Sequence, residues 1–374
     1  MDICHLTINF IDYERRIKNQ AESSAESGHS IKVVSLGKPG DKSAVIQNGI
    51  SIRRITTPFF KGGPLKFIHF NLKVFLLLFY KRLQIVHCHD LWTLPAVYLL
   101  RIIKKFNIVY DAHEYYEGLE IFNRNRIRKK LWMLAEQIAI KKVDVLITVS
   151  DPIAGLYQKK YPDLQKIEVI RNLPQKERPS ESPNDDILPK TSDKLIVFQG
   201  HFKPGRGLMQ LIESMTLLDN AHLVLIGGGE IENDIRERIV YFDLQSKVSL
   251  IGYIPTEQLI TTTSRADLGV VLFEKTSLNY TYALPNKFFE YIMAGIPILA
   301  SNLDTLTEYL DTYGLGMSVN PEDVEDIAQS IKIMLSDENK LREWRNNARK
   351  ASRILNWENE SIKMNQIYEN IKRR

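Results

Sequence analysis

The segment PNKFFEYIMAGIPILAS, residues 285–301, places a lysine and a carboxylate near the start of a helix that runs into a short apolar strand. Pro285 suits the opening of a helix, and Asn286 and Lys287 supply backbone N–H groups that have no partner inside it. Glu290 follows one turn later, where no cap is needed, and its carboxylate can accept two hydrogen bonds from a vicinal diol such as ribose. The alternative is that Glu290 is a solvated helix residue.

A second segment, FQGHFKPGRGLMQLI, has the composition of a phosphate-binding loop. Gly200 ends an apolar strand, and Gly205 and Gly207 flank Arg206 just before a helix. Glycines let the backbone approach a phosphate, while the helix start and the guanidinium supply positive charge. The triple glycine of LIGGGE, residues 225–230, suits the same close approach. The alternative is an ordinary turn that carries a surface arginine.

The motif HCHD, residues 87–90, is a third cluster of chemically active side chains. Strand alternation puts His87 and His89 on one side, and histidines at a strand end are common ligands of catalytic metals. Further ligands for such a metal could come from His113 with Asp111 or Glu114. A metal-dependent hydrolase is therefore an alternative function, although it leaves the second half of the chain unexplained.

Length and charge indicate two domains. The chain has 374 residues, which suits two domains better than one core, and its two cysteines cannot form a disulfide framework. Residues 1–174 carry 27 Lys+Arg and 16 Asp+Glu, a net +11, whereas residues 175–374 carry 23 and 29, a net −6. The basic half favours contact with an anionic membrane or glycan; the alternative is scattered, solvated charge.

Short β-rich runs alternate with amphipathic stretches along the chain, which predicts parallel sheets covered by helices on both faces. In the first half the predicted strands are Ile31–Leu36, Gln84–Cys88, Asn107–Asp111 and Val143–Val149, and the predicted helices are 13–27, 65–82, 92–105 and 125–142. Residues 175–193 hold three prolines and many charges and are predicted to be a linker. The same alternation then restarts, and ligands of such sheets bind beyond the carboxyl ends of the strands.

Taken in order, these motifs resemble a known family. Gly200-His201-x4-Arg206-Gly207 is similar to the strand end G-R-x4-K-G of the retaining glycosyltransferases with the GT-B fold, family 4 (glycosyl transferases group 1). EYIMAGIPI, from Glu290 onward, resembles their EAMAxGxPV segment. AESSAESGHSIKVVSL, IVHCHDLWTLPAVYLL and NIVYDAHEYYEG resemble successive parts of their first domain.

The resemblance implies an α/β protein of GT-B fold, with two Rossmann-like domains facing each other across a cleft. It places an acceptor-side domain at 1–174, completed by a C-terminal helix at 357–374. A linker at 175–193 would lead to a nucleotide-sugar-binding domain at 194–356.

The resemblance also implies roles for individual residues. His113 would lie near the donor sugar, Arg206 at the leaving diphosphate and Glu290 at the nucleoside. The predicted donor-binding residues are Gly200, His201, Gly207, Gly228, Gly229, Tyr253, Tyr282, Pro285, Asn286 and Lys287. The predicted acceptor-side residues are Arg15, Arg16, Asp90 and Glu114, although for the two arginines we slightly favour an exposed helix face.

Three positions depart from the family pattern. Tyr282 stands where the family has the first glutamate of its E-x7-E motif, so recognition of the donor sugar is left open. His201 replaces an arginine, and Arg206 replaces a lysine, which keeps a full positive charge at the phosphate site. The chain also has no D-x-D motif, the usual holder of a divalent ion in metal-dependent transferases.

We therefore predict a metal-independent retaining enzyme that moves a hexose-type sugar from a nucleoside-diphosphate sugar to a glycan, lipid-linked, in bacterial surface polysaccharide assembly. It needs no cofactor and has no nucleic-acid partner. We expect a cytoplasmic location with peripheral contact at the inner face of the plasma membrane. The alternatives are a nucleotide-sugar epimerase of similar fold, the metal hydrolase, and an inactive protein that only binds sugar nucleotides.

Overall fold

The computed structural model describes residues 1–58, 63–119, 125–176, 187–282 and 284–372. It divides into two compact units, one formed by Met1–Asn172 with Glu358–Arg374 and the other by Leu173–Trp357. The predicted boundaries were 174 and 357, and most of the predicted linker, residues 177–186, lies outside the described residues.

Unit 1 is built on an eight-stranded sheet in the order β3-β4-β2-β1-β5-β6-β7-β8. Its strands are β1 (Asp2–Phe10), β2 (Ser30–Gly37), β3 (Ala44–Gln47), β4 (Ile50–Thr56), β5 (Ile85–His89), β6 (Asn107–Ala112), β7 (Val145–Thr148) and β8 (Ile167–Val169). Every neighbouring pair is parallel except β3 and β4, which form an antiparallel edge hairpin. Apart from this hairpin, the order is that of a doubly wound sheet, in which the direction of winding reverses between β1 and β5.

The helices of unit 1 cover both faces of this sheet. They are α1 (Arg15–Glu26), α2 (Pro64–Phe79), α3 (Leu94–Ile103), α4 (Arg126–Ala139) and α5 (Asp151–Lys160), with α14 (Trp357–Lys372) from the end of the chain. Helix α5 begins directly after Ser150, and Pro152 lies in its first turn, where proline is well tolerated.

Unit 2 contains a six-stranded, wholly parallel sheet in the order β11-β10-β9-β12-β13-β14. Its strands are β9 (Lys194–His201), β10 (Ala221–Gly228), β11 (Val248–Ile251), β12 (Leu268–Val271), β13 (Ile298–Ser301) and β14 (Gly316–Val319). Numbered from β9, this is the order 3-2-1-4-5-6 of dinucleotide-binding folds, with the reversal between β9 and β12.

Strand β9 shows why the sheet of unit 2 is buried on both faces. Ile196 and Phe198 pack into one apolar cluster, while Val197, between them, packs into the other. The covering helices are α6 (Leu208–Ser214), α7 (Glu232–Tyr241), α8 (Thr256–Thr263), α9 (Leu278–Thr281), α10 (Asn286–Ala294), α11 (Asp304–Tyr313), α12 (Val324–Ser336) and α13 (Glu338–Ser352). The predicted restart of the α/β alternation is confirmed.

Helix α2, which corresponds to the helix predicted at 65–82, is only partly buried. Phe70, Val74 and Leu78 are buried, but Ile68 and Leu72 are 64% and 56% exposed. Within the described ranges, no helix combines the length and the apolar character needed to cross a bilayer.

Candidate functional site

The reversal points of the two sheets carry most of the polar side chains that the sequence singles out. In unit 2 the strands β9 and β12 end near Gly200 and Val271, and in unit 1 β1 and β5 end near Phe10 and His89. Ligands of doubly wound sheets bind at such points because the loops diverge there and leave a crevice. Each unit is described separately below.

Lys287 is the most unusual side chain of unit 2. It is the second residue of α10, it is 6% exposed, and its Nζ lies 3.3 Å from the centroid of the Phe198 ring. Among the described residues this ammonium has no hydrogen-bond partner. Burial, with Arg206 nearby, lowers the pKa of Lys287 well below the ordinary lysine value. A buried ammonium with three unused donors is suited to an anionic ligand.

Arg206 adds a second cation beside Lys287. A Cβ placed on Gly200 would lie 3.8 Å from Lys287 Nζ and 4.0 Å from Arg206 Nη1, so both cations border the same point at the end of β9. Arg206 Nη1 donates to the carbonyl of His201 over 3.1 Å, and its guanidinium lies 5.6 Å from the Phe273 ring. Gly200 has φ +118°, a conformation that favours glycine, and a Cβ there would lie in ordinary van der Waals contact with both cations.

His201, the last residue of β9, forms a small polar network with Tyr253 and with the end of the neighbouring strand β10. The Tyr253 hydroxyl donates to the carbonyl of Gly228 over 2.7 Å, so it accepts a hydrogen bond from His201 Nδ1, also at 2.7 Å. Burial, together with Lys203 and Arg206, lowers the pKa of His201. The imidazole is therefore neutral near pH 7, with Nε2 as an acceptor, unlike the cationic arginine of the family pattern.

The glycines at the end of β10 were expected to allow close approach of a phosphate, but the structure gives them a packing role. A Cβ on Gly229 would lie 2.3 Å from the carbonyl oxygen of Phe202, and one on Gly228 would lie 3.1 Å from the Tyr253 ring. The absent side chains therefore make room for the protein's own loop. The loop after β9 is packed against β10, which fixes the position of Gly200 and Arg206.

Glu290 is half-buried and held by a polar chain from the sheet. Thr263 Oγ1 donates to Gln199 Oε1 over 2.7 Å, which leaves the Gln199 amide nitrogen to donate to Glu290 Oε2 over 2.6 Å. This arrangement fixes one carboxylate oxygen. Gln199 and Thr263 were not predicted from sequence: Gln199 lies in the predicted loop segment but was not singled out, and Thr263 belongs to no motif.

The remaining predicted donor residues lie in or beside α9 and α10. Pro285 is the residue that precedes α10 rather than its first residue, and its carbonyl accepts from the Phe288 N–H over 3.0 Å. Asn286 is exposed at the helix start, and Gly207 directly precedes α6, with φ +60°. Tyr282 follows the short helix α9 and is half-buried.

In unit 1 the central charge is Asp111, which is wholly buried at the end of β6. Arg16 donates to both of its carboxylate oxygens over 3.0 and 2.8 Å, and Gln20 Nε2 donates to Oδ2 over 2.8 Å. Burial alone would raise the pKa of Asp111, but Arg16 outweighs it and holds that pKa well below the usual range. The expected exposed helix face is wrong for Arg16, which is 4% exposed because it pairs with this buried carboxylate.

Sheet register gathers three histidines on the same face as Asp111. His5 of β1 is aligned with His87 of β5, and His89, two residues on, is aligned with Asp111 of β6. The rings of His87 and His89 stack with centroids 4.3 Å apart, and those of His5 and His87 lie 4.7 Å apart. His87 Nδ1 also lies 2.6 Å from the hydroxyl of Tyr368, on α14.

His113 is the accessible end of this network. Its Nδ1 lies 3.3 Å from Asp90 Oδ1 and its Nε2 lies 3.6 Å from Asp111 Oδ2. Burial would lower the pKa of His113, but Asp90 and Asp111 outweigh burial and raise that pKa to about 8. His113 is therefore a cation at neutral pH.

A charged His113 orders the protons of its neighbours. Its Nε2–H donates to His89 Nδ1, at 3.3 Å, so His89 carries its proton on Nε2 and donates to His5 Nδ1, at 2.9 Å. Burial lowers the pKa of His5 and of His89 well below the ordinary value, which keeps both neutral as this order requires. The network thus holds His113 in one orientation.

The other predicted residues of unit 1 are Asp90, Glu114 and Arg15. Asp90 is 8% exposed, accepts a short hydrogen bond from the Tyr116 hydroxyl, and has φ +65°, a strained value for a non-glycine residue. Glu114 is exposed and Arg15 is half-buried on α1.

Among the residues that the structure describes, distance alone allows a metal at two places, one formed by His5, His87 and His89 and the other by His89, Asp111 and His113. The second is disfavoured because Asp111 already binds the Arg16 guanidinium, whose charge opposes a second cation. In the first, His5 and His89 share a hydrogen bond at 2.9 Å and no carboxylate belongs to the group. The donor set therefore fits a hydrogen-bonded network better than a hydrolytic metal centre.

The family profile described as Glycosyl transferases group 1 matches residues 181–351, and that described as Glycosyltransferase Family 4 matches residues 13–173. Together they account for both units. This chain belongs to the group 1 glycosyltransferases of the GT-B fold. Among its relatives, an uncharacterized glycosyltransferase of Methanocaldococcus jannaschii is 22% identical over 86% of this chain and 84% of its own.

Solved structures show the same fold for this glycosyltransferase. Sucrose-phosphate synthase from Thermosynechococcus elongatus superposes with a TM-score of 0.82 at 18% identity, covering 100% of this chain and 99% of its own. Anabaena HepE, solved in complex with UDP and glucose, superposes with a TM-score of 0.75 at 16% identity and covers 100% of both chains.

The charge of His113 gives this glycosyltransferase a pH dependence. Because its pKa is raised to about 8, above the ordinary 6.5, its ion pairing stabilises the fold fully below about pH 6.5 and is lost as pH rises through about 8. Asp90→Asn should move this titration to lower pH, because it removes the carboxylate 3.3 Å away. Histidine Cε1–H NMR titrations of wild type and variant measure both, and coincident titrations would contradict the assignment.

Proposed function

We propose that this glycosyltransferase moves a hexose-type sugar from a nucleoside-diphosphate sugar to a lipid-linked glycan, with retention and without a metal ion, in surface polysaccharide assembly. Two observations about relatives support the proposal. HepE was solved with UDP-glucose, and a Klebsiella pneumoniae relative, 22% identical over 74% of this chain and 78% of its own, is described as a protein in a cps region.

The observation that carries the proposal is the unpaired ammonium of Lys287. It lies with Arg206 at the end of β9, where both cations border Gly200. A diphosphate supplies the negative charge that both cations lack, and α10 directs its first N–H groups to the same region. We assign the diphosphate to this place.

Breaking a sugar–phosphate bond develops negative charge on the leaving diphosphate and positive charge on the sugar. Arg206 and Lys287 are positive groups held in place before the reaction, so they stabilise the departing diphosphate without reorganisation. Retention, in the family's mechanism, places the acceptor on the leaving-group face, where a donor phosphate oxygen takes the acceptor proton.

The remaining roles that we propose concern Glu290, His113 and Tyr282. Glu290, with one oxygen held by Gln199, accepts hydrogen bonds from the ribose hydroxyls. His113 contacts the donor sugar as a cation that can donate hydrogen bonds. Tyr282, in place of the family glutamate, takes part in selecting the donor sugar.

An epimerase and a hydrolase predict different reactions. An epimerase converts a nucleotide sugar without any acceptor, and a hydrolase that uses residues 87–90 loses activity in chelator. Incubating the protein with a nucleotide sugar alone, with acceptor, and with both in excess chelator separates these functions. Transfer that needs the acceptor and tolerates the chelator is the expected result.

Arg206→Ala should lower turnover by roughly 10²-fold, because it removes a positive charge placed where negative charge develops. Arg342→Ala is a control on an exposed arginine of α13 and should change turnover by less than about twofold. Initial rates at saturating donor measure both. Equal losses in the two variants would contradict the role of Arg206.

Glu290→Ala should weaken nucleoside-diphosphate binding by about tenfold to a hundredfold, because hydrogen bonds to a charged group contribute about 1.5–3 kcal/mol. It should also erase the preference for a ribonucleotide over its 2′,3′-dideoxy analogue. Calorimetry with both nucleotides measures this. If the variant keeps the wild-type preference, Glu290 is not the ribose ligand.

A membrane contact, expected for a lipid-linked acceptor, is supported by unit 1. Helix α2 packs against α3, and α3 against α4. Each helix exposes an apolar stripe at helical spacing: Leu65, Ile68, Leu72 and Leu76 on α2, Leu99, Ile102 and Ile103 on α3, and Ile127, Leu131, Leu134 and Ile138 on α4. Residues 63–110 carry seven lysines and arginines and a single carboxylate, Asp90. Apolar stripes with basic borders suit an anionic bilayer surface.

Replacing Leu72 and Leu131 together by serine should weaken binding to phosphatidylglycerol vesicles at least fivefold, because both side chains would enter the bilayer surface. Replacing Val240 and Tyr241, which are 63% and 80% exposed on unit 2, is the matched control and should leave binding unchanged. Vesicle co-sedimentation at two salt concentrations measures both. Equal binding to anionic and neutral vesicles would contradict the proposal.

A further inference from the structure

A separate cavity of about 270 Å³ lies in unit 1 at the amino ends of its strands. One wall is the sheet, from Cys4 of β1 across β2 to Arg53 of β4, and the other is the last turn of α2 with the segment that follows it. The predicted substrate residues lie at the opposite, carboxyl ends of the strands. The cavity is thus no part of the site described above.

Strand register shows which side chains of the sheet face the cavity. Lys32 is aligned with Cys4 on one side and with Ser51 on the other, so these three side chains share a face, and Val34 and Arg53 continue it. Lys32, Ser51 and Arg53 are exposed, whereas Cys4 and Val34 are buried. This wall of the cavity is therefore buried near β1 and exposed over β2 and β4.

The floor of the cavity, next to β1 and the last turn of α2, is apolar. Leu77 and Leu78 of α2 face Val34 and Cys4 across it. Burial raises the pKa of the Cys4 thiol to about 12, so this side chain stays uncharged and behaves as a small hydrophobic group. Such a surface favours an alkyl chain over a polar ligand.

The rim, in contrast, is cationic. Lys32, Arg53, Lys81 and Arg82 border the cavity, and Asp2 is the single carboxylate among its lining residues. None of the four cations forms an ion pair with a described residue. Four unpaired cations around an apolar floor match a ligand with an anionic head and a hydrophobic tail.

We infer that this cavity binds one alkyl chain of an anionic lipid, with the lipid phosphate held among Lys32, Arg53, Lys81 and Arg82. The inference goes beyond the proposed function and does not depend on the donor chemistry. The last turn of α2 lines the cavity, and the same helix carries the exposed apolar stripe described above. A bilayer lipid is therefore the source that we assign. Such a site would hold unit 1 on the membrane through a single bound lipid.

The test separates head from tail. Dodecyl phosphate has both features, dodecyl maltoside has the tail without the charge, and inorganic phosphate has the charge without the tail. Calorimetry with each ligand, below the micelle concentration, should give one dodecyl phosphate site per chain, bound at least tenfold more tightly than either partial ligand. Equal affinity for dodecyl phosphate and dodecyl maltoside, or no saturable binding, would overturn the inference.

Variants locate the site. Lys81→Glu with Arg82→Glu reverses half of the rim, and Ala44→Trp, at an exposed lining residue, fills the cavity without entering the core. Each should weaken dodecyl phosphate binding at least tenfold. Lys159→Glu with Lys350→Glu makes the same charge change on distant exposed lysines and should have no effect. Circular dichroism confirms folding, and equal losses in rim and control variants would refute the assignment.

Vesicles identify the source. If the occupant is a bilayer lipid, Ala44→Trp should weaken binding to phosphatidylglycerol vesicles at least threefold, and dodecyl phosphate should compete with those vesicles. If Ala44→Trp binds vesicles as wild type does while losing dodecyl phosphate, the assignment to a bilayer lipid is wrong. This outcome leaves nucleotide binding untouched, so it is independent of the proposed function.

Discussion

The structure of unit 2 depends on one buried amine, that of Lys287, which has no hydrogen-bond partner among the described residues. An isolated buried cation opposes folding unless a counter-charge or hydrogen-bond acceptors offset it. Here the Phe198 ring, 3.3 Å away, offsets part of that cost through a cation–π contact but accepts no conventional hydrogen bond. The surrounding features make sense as parts of a site for an anion: Gly200 at the strand end, the second cation Arg206 and the start of α10.

Unit 1 offers the contrasting case. Its buried charge, Asp111, is fully paired by Arg16 and Gln20, so it demands no ligand. Instead it fixes a face of the sheet on which His5, His87 and His89 are stacked and on which His113 ends the network as a cation. Both sheets therefore place positive charge at the point where strand order reverses, one as an unpaired lysine and the other as a histidine between two carboxylates.

The sequence predicts what is local and misses what is distant. The alternation of strands and helices, the loop around Arg206 and the pair Lys287 and Glu290 are readable, because each rests on neighbouring residues. The strands β1, β3, β4 and β8 of unit 1 were not predicted. Arg16 was misjudged because its partner Asp111 is 95 residues away, and a charged residue on an amphipathic helix is ordinarily exposed. His5 was missed because only strand register brings it beside His87. Gln199 was missed because its partners Thr263 and Glu290 are 64 and 91 residues away.

The central claim is that Lys287 binds the donor diphosphate, and the protonation of that lysine tests it most directly. Selective ¹³C labelling of lysine Cε, with Lys287→Met to assign the resonance, allows its titration to be followed by NMR. Adding the tightest-binding of UDP, GDP and ADP should raise the pKa of Lys287, because the diphosphate stabilises the charged form. An unchanged titration in the saturated complex would show that the diphosphate binds elsewhere and would contradict the account.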